Sequence, residues 1–128
     1  MSRIRASAPA RVDLAGGTLD IWPLYLLMEG SVTVNAAISL RARAVVRPSG
    51  EEGHRLIAED LGVRARLPAG RSAAGRAGPV APGDLPLHEC VLRHLNPSIG
   101  LEIVTHSDVP AGSGLGGSSA LAVCLLAA

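Results

Sequence analysis

Eight residues near the end of the sequence, Gly112 to Ser119, hold four glycines and three serines. They read Gly-Ser-Gly-Leu-Gly-Gly-Ser-Ser, with Pro110-Ala111 before them and the apolar run Ala120 to Ala128 after them. Three readings compete for such a stretch. Glycine and serine dominate flexible linkers, yet a strand-like segment precedes this one and a helix-like segment comes directly after it. Gly112, Gly114 and Gly117 satisfy the Gly-x-Gly-x-x-Gly spacing of a dinucleotide loop, a weak signal when it stands alone. Such a loop leaves its strand almost at once, whereas Ser107 to Ala111 intervene here. The third reading is a phosphate cradle. Glycines let the backbone approach an anion and take positive φ, and a helix starting near Gly117 would aim unpaired N–H groups and its positive dipole end at the same point. Ser118 and Ser119 could add hydroxyl donors, or one of them a ligand for Mg²⁺.

All twelve basic residues are arginine. Without lysine there is no Walker-loop amine, no lysine of the protein-kinase type and no Schiff-base chemistry. Anion recognition then falls mostly to main-chain amides. His88 and His94 stand six apart, off any shared helix face; His54 and His106 do not cluster, and solvent-facing or capping roles are expected for those two. Cys90 and Cys124 lack ligand spacing and are expected as small buried apolar residues in a reducing compartment. Net charge of +1 offers no broad field for nucleic acid or membrane.

The elements that must position the loop can be read coarsely. Arg3 to Ser7 and Ala10 to Leu14 predict two strands, and Gly16-Gly17 end the second of them. "IWPLYLLMEG" predicts a helical turn around Pro23 ending at Gly30. In "LRARAVVRP", Leu40, Ala42, Ala44 and Val46 alternate with Arg41, Arg43 and Arg47, the pattern of a half-buried strand with a solvated arginine face. "HRLIAED" and "VRARLP" predict a hairpin joined near Leu61-Gly62, and the small-residue stretch from Ala69 to Asp84 a surface loop. Asp84 is the predicted cap of a helix carrying Leu85, Cys90, Val91 and Leu95 on its apolar face, with Pro97 beyond its end. "GLEIVTH" predicts the strand that delivers the glycine loop. With no Phe, one Trp and one Tyr, the core must be built from Leu, Val, Ile and Ala. The length suits one domain. No run approaches the roughly 18 apolar residues of a membrane span and no secretory leader opens the chain, so a cytoplasmic location is expected.

"PAGSGLGGSSA" resembles the second motif of the GHMP small-molecule kinases, the family of galactokinase, homoserine kinase and mevalonate kinase. "APARVDLAGGTLD", Ala8 to Asp20, resembles the same family's first motif. The resemblance implies an α+β fold with the β-α layers of a ribosomal-protein domain, residues 1–128 forming an incomplete N-terminal ATP-binding domain. It implies ATP and Mg²⁺ as cofactors. The nucleotide's phosphates would fall to Gly112, Ser113, Gly114, Leu115, Gly116, Gly117 and Ser118, bordered by Pro110 and Ser119. Ser118 would serve catalysis as the Mg²⁺ ligand, and Arg11 would sit near the transferring phosphoryl group. Asp13, Gly17, Thr18 and Asp20 would face the acceptor. A guanidinium supplies permanent charge and a planar set of donors where negative charge develops, and a carboxylate suits vicinal hydroxyls.

Departures narrow the acceptor. Galactokinases carry Gly-Glu-His-Thr-Asp where this chain has Gly16-Gly17-Thr18-Leu19-Asp20. The double glycine and "GLGGSS" are more similar to heptose-kinase and fucokinase-like members, and Arg11 in place of lysine points away from mevalonate kinase. The expected substrates are ATP and a sugar or sugar phosphate, heptose-like first, with no nucleic acid or membrane partner. Second readings are another family acceptor (galactose, mevalonate, homoserine) or a non-catalytic nucleotide- or RNA-associated module. The family's catalytic acid lies downstream of the glycine motif and no acidic residue occurs after Asp108. The chain alone is therefore expected to be inactive.

Overall fold

A computed structural model describes residues 3–19, 21–68 and 85–128. Its elements are β1 (Ile4–Ala15), α1 (Leu24–Leu27), β2 (Val34–Pro48), β3 (His54–Ala58), β4 (Val63–Leu67), α2 (Pro86–Leu95), β5 (Leu101–Ser107) and α3 (Gly117–Ala127). The strands form one sheet in the order β1-β2-β5-β3-β4. Pairing is antiparallel except between β3 and β5, which run parallel. The α+β class and the predicted hairpin are both present. The two strands expected before Gly16 are one strand, irregular between Pro9 and Arg11, where three residues of β2 oppose Ala10 alone. The predicted cap Asp84 and the loop from Ala69 lie outside the described residues.

Alternation along β2 decides which face is covered. Ala42 and Ala44 are fully buried and meet Leu56, Ala58 and Ile103 in one core with Val91 and Leu92 of α2 and Ala120, Cys124 and Leu125 of α3. Alanine at these sites lets α3 lie close to the strand, and the Cys124 thiol donates to the Ala42 carbonyl at 3.3 Å. Each larger aliphatic side chain buried here contributes roughly 1.5–3 kcal/mol. The other face carries Arg43, Arg47 and Arg55, which are held by Asp108 and Glu102.

Two sequence expectations fail on α2 and one on β3. Cys90 and Leu95 are exposed, because His88 takes the buried row with Leu85, Val91 and Leu92. A polar ring is tolerated there because His88 Nε2 lies 2.8 Å from the equally buried Thr105 hydroxyl. His54, expected in a solvent-facing or capping role, is buried and accepts the Leu101 N–H on Nδ1 at 3.2 Å. Cys124 meets its expectation, and burial pushes its thiol up.

Burial holds His54 and His88 below the ordinary imidazole value of 6.5, with the Asp60 carboxylate pulling His88 part of the way back. The unfolded chain therefore binds protons first as pH falls, so stability is full above about pH 6.5 and declines below it. Thermal melts between pH 7 and pH 5 should show a falling midpoint. His54→Gln with His88→Gln should flatten that slope, and an unchanged slope in the double variant would refute the assignment.

Candidate functional site

β5 ends at the point where the glycine loop must be aimed, and Asp108 fixes that point. Its backbone N–H donates to the Arg41 carbonyl at 3.0 Å, and its carboxylate accepts the Arg41 N–H at 3.0 Å. The Arg43 guanidinium adds two hydrogen bonds at 2.6 and 2.9 Å. Chiefly through Arg43, these contacts hold the Asp108 carboxyl down to about 2. Ser107 then folds its hydroxyl back onto Val109, accepting that residue's N–H and donating to its carbonyl. Val109 is buried. The loop thus leaves a pinned stem.

Gly112, Gly114 and Gly116 all take positive φ, of 78°, 74° and 68°. Gly116 is the left-handed N-cap of α3 and has no side chain with which to cap it. The N–H groups of Gly117, Ser118 and Ser119 in the first turn have no partner inside the helix. They border a cleft of about 250 Å³ whose walls include Pro110, Gly112, Ser113, Gly114, Gly116, Gly117, Ser118 and Ser119. Leu115 does not line it. Its carbonyl instead accepts the backbone N–H of Arg11 at 3.1 Å. Asp60 and Leu61, in the β3–β4 turn, form part of the cleft wall. In the sequence they are hairpin residues only, since nothing local links them to a loop about fifty residues away.

The first motif meets this loop through Arg11. Its Cγ lies 3.2 Å from where a Cβ on Gly116 would stand, so the side chain passes directly over the helix N-terminus. Arg11 Nε is 3.7 Å from Asp13 Oδ1, a partly exposed pair. Gly17 sits over Asp13 in turn, where an added Cβ would come within 3.1 Å of Asp13 Cβ and 3.2 Å of Oδ2. Thr18 holds φ 91°, a left-handed value that a β-branched residue rarely adopts. The structure therefore brings Arg11, Asp13, Gly17 and the glycine loop into one continuous surface. Asp20 lies outside the described residues.

What this arrangement can do is bind an anion. The cleft offers main-chain donors, a helix dipole and the exposed hydroxyls of Ser113, Ser118 and Ser119, and the Arg11 side chain lies beside it against Gly116, outside its lining. Among the described residues no group of three or more His, Cys, Asp or Glu could hold a metal ion, and no helix is long and apolar enough to cross a membrane.

Residues 86–128 match the family model of the GHMP kinases N terminal domain. A D-glycero-D-manno-heptose 1-phosphate kinase from Bacteroides thetaiotaomicron is similar at 29% identity and TM-score 0.76, covering 95% of this chain and 39% of that one. A protein described as a sugar kinase from Campylobacter jejuni is similar at 26% identity and TM-score 0.76, covering 100% of this chain and 38% of that one. Methanococcus jannaschii mevalonate kinase, at 20% identity and TM-score 0.75 over 98% of this chain and 38% of its own, shares the fold. No curated protein sequence matches. The chain spans well under half the length of these solved proteins.

Proposed function

We propose, from the premise that this chain belongs to the GHMP kinases as an N-terminal domain, that the protein transfers the terminal phosphoryl group of ATP to a hydroxyl of a sugar or sugar phosphate. A heptose-like acceptor comes first. The observation that carries the reading is Arg11, whose backbone docks on Leu115 while its side chain bridges Gly116 and Asp13. One residue thereby joins a phosphate cradle to a surface of acceptor type. Phosphoryl transfer asks for this: alignment of two reactants and neutralisation of spreading negative charge, with little covalent help.

Chemistry divides the roles. Main-chain N–H groups of Gly112, Gly114 and Gly116 to Ser119 hold the polyphosphate, and Arg11 faces the group in flight. The acceptor lies over Asp13, Gly17, Thr18 and Asp20. The Asp60 carboxylate repels phosphate, so the base and ribose lie toward Asp60 and Leu61, away from the helix N-terminus. The exposed Ser118 hydroxyl fits Mg²⁺, a cation that keeps several waters and binds through few protein ligands plus substrate phosphates. When bound, the ion supplies neutralisation of phosphate charge. The heptose-like choice is supported by Gly16-Gly17 and by the similarity to a heptose 1-phosphate kinase.

Ser118→Ala in the intact protein should lower turnover by about a hundredfold and raise the Mg²⁺ concentration needed for half-maximal rate. The circular dichroism spectrum should stay unchanged. Unaltered kcat and Mg²⁺ dependence would remove Ser118 from the site. Assay of the wild type with heptoses, fucose, galactose and mevalonate identifies the acceptor.

A further inference from the structure

The turn after β1 is strained and tightly held, and the proposed chemistry leaves its anchor unexplained. Gly16 has φ 70° and sits against the chain entering β2: an added Cβ would fall within 3.1 Å of the Val32 carbonyl carbon and 3.2 Å of Thr33 Cα. The Gly16 carbonyl accepts two hydrogen bonds. One is local, from Leu19 N–H at 3.1 Å. The other comes from the Thr33 hydroxyl at 3.0 Å, across 17 residues of sequence. Ile21 N–H then donates to the Thr18 carbonyl at 3.3 Å, continuing the coil into the segment before α1.

Thr18 at φ 91° is strained and persists only where its surroundings fix it. The two glycines before it have no backbone preference of their own that could supply that constraint. The long-range bond from Thr33 can, because it ties the first residue of the turn to a sheet strand's entry. The tie then runs onward through contacts already described. Gly17 stands too near Asp13 to leave room for a side chain, Asp13 faces Arg11, and Arg11 passes beside the α3 N-cap Gly116.

We infer that Thr33 is a positioning residue for the acceptor side of the site: its hydroxyl clamps the Gly16 carbonyl, and that clamp sets where Gly17 stands over Asp13 and holds Thr18 in the turn that follows. The inference rests on the proposed kinase reading for its functional consequence and on the Gly16 contact for its structural part. A ligand at the phosphate cradle is untouched by it, because Thr33 has no place in the cleft from Pro110 to Ser119.

Thr33→Val keeps the shape and removes the donor; Thr33→Ser keeps the donor. In the intact protein, Thr33→Val should raise the acceptor KM about tenfold, the effect of losing one hydrogen bond's positioning, and leave the ATP KM within about twofold. Thr33→Ser should restore the acceptor KM. Amide exchange at Leu19 should quicken in the valine variant while exchange at Ala120, whose N–H bonds to Gly116, stays as in wild type. A purely structural role would instead move both KM values together with the melting temperature. Unchanged Leu19 exchange, or an unchanged acceptor KM in an active enzyme, overturns the assignment of Thr33 alone. A wild-type protein that transfers no phosphoryl group to any acceptor overturns the kinase reading, and the acceptor role of Thr33 with it, even if Leu19 exchange responds.

Discussion

Arg11→Ala in the intact protein is expected to lower kcat by about a thousandfold, with the fold preserved. The fold should survive because Arg11 holds the glycine loop through its main chain: the 3.1 Å bond from its N–H to the Leu115 carbonyl is indifferent to the side chain. β1 keeps its pairing with β2 at Ala37 for the same reason. What disappears is the guanidinium that lies over Gly116 beside Asp13. Charge that develops on a transferring phosphoryl group would then lose its protein cation and depend on main-chain dipoles and the proposed Mg²⁺. Arg11→Lys separates charge from geometry. An ammonium restores the charge as a single point but not the planar donor set, so it should recover part of the lost rate and not all of it. Steady-state kinetics on both variants, with a melting curve for each, check this. If alanine cost less than tenfold in kcat, Arg11 would be a surface arginine of β1 and the two motifs would meet for packing alone.

That meeting could not have been foreseen from spacing. Each motif is legible by itself: positive-φ glycines before an apolar run predict a loop and helix, and the helix does begin at Gly117. The hairpin around Leu61-Gly62 and the Ala/Arg alternation of β2 are legible too, because a period of two and a glycine turn are local signals. The single strand β1 is not. Pro9 suggests a break, but the partner strand absorbs it with three unpaired residues, a choice made by β2 and invisible in β1. His88 and His54 mislead for a related reason. A histidine reads as polar until a particular neighbour, Thr105 or the Leu101 amide, makes its burial tolerable. Asp60 and Thr33 join the site or its support only through tertiary contact, and no residue near either in sequence advertises the role.

Gly16 allows the close approach of β1's end to β2's start to be tested directly. Gly16→Ala should destabilise the protein by about 3–5 kcal/mol, near the upper end for single substitutions. Two costs combine. A left-handed φ of 70° is worth roughly 1–2 kcal/mol against alanine. The methyl would also overlap the Val32 carbonyl oxygen, which belongs to the backbone and cannot rotate out of the way as a side chain would. Either the turn or the residues from Val32 to Thr33 must shift, and both movements break the Thr33 bond to the Gly16 carbonyl. Gly62→Ala is the matched control. It has φ 65° in the β3–β4 turn, and an added Cβ there meets nothing within 4 Å. Gly62→Ala should therefore lose only the conformational part, about 1–2 kcal/mol. Denaturant melts of both variants give the difference, and that difference is the cost of the overlap. Equal losses at the two sites would mean that the turn does not press on Val32 in solution, and the clamp from Thr33 would have nothing to hold.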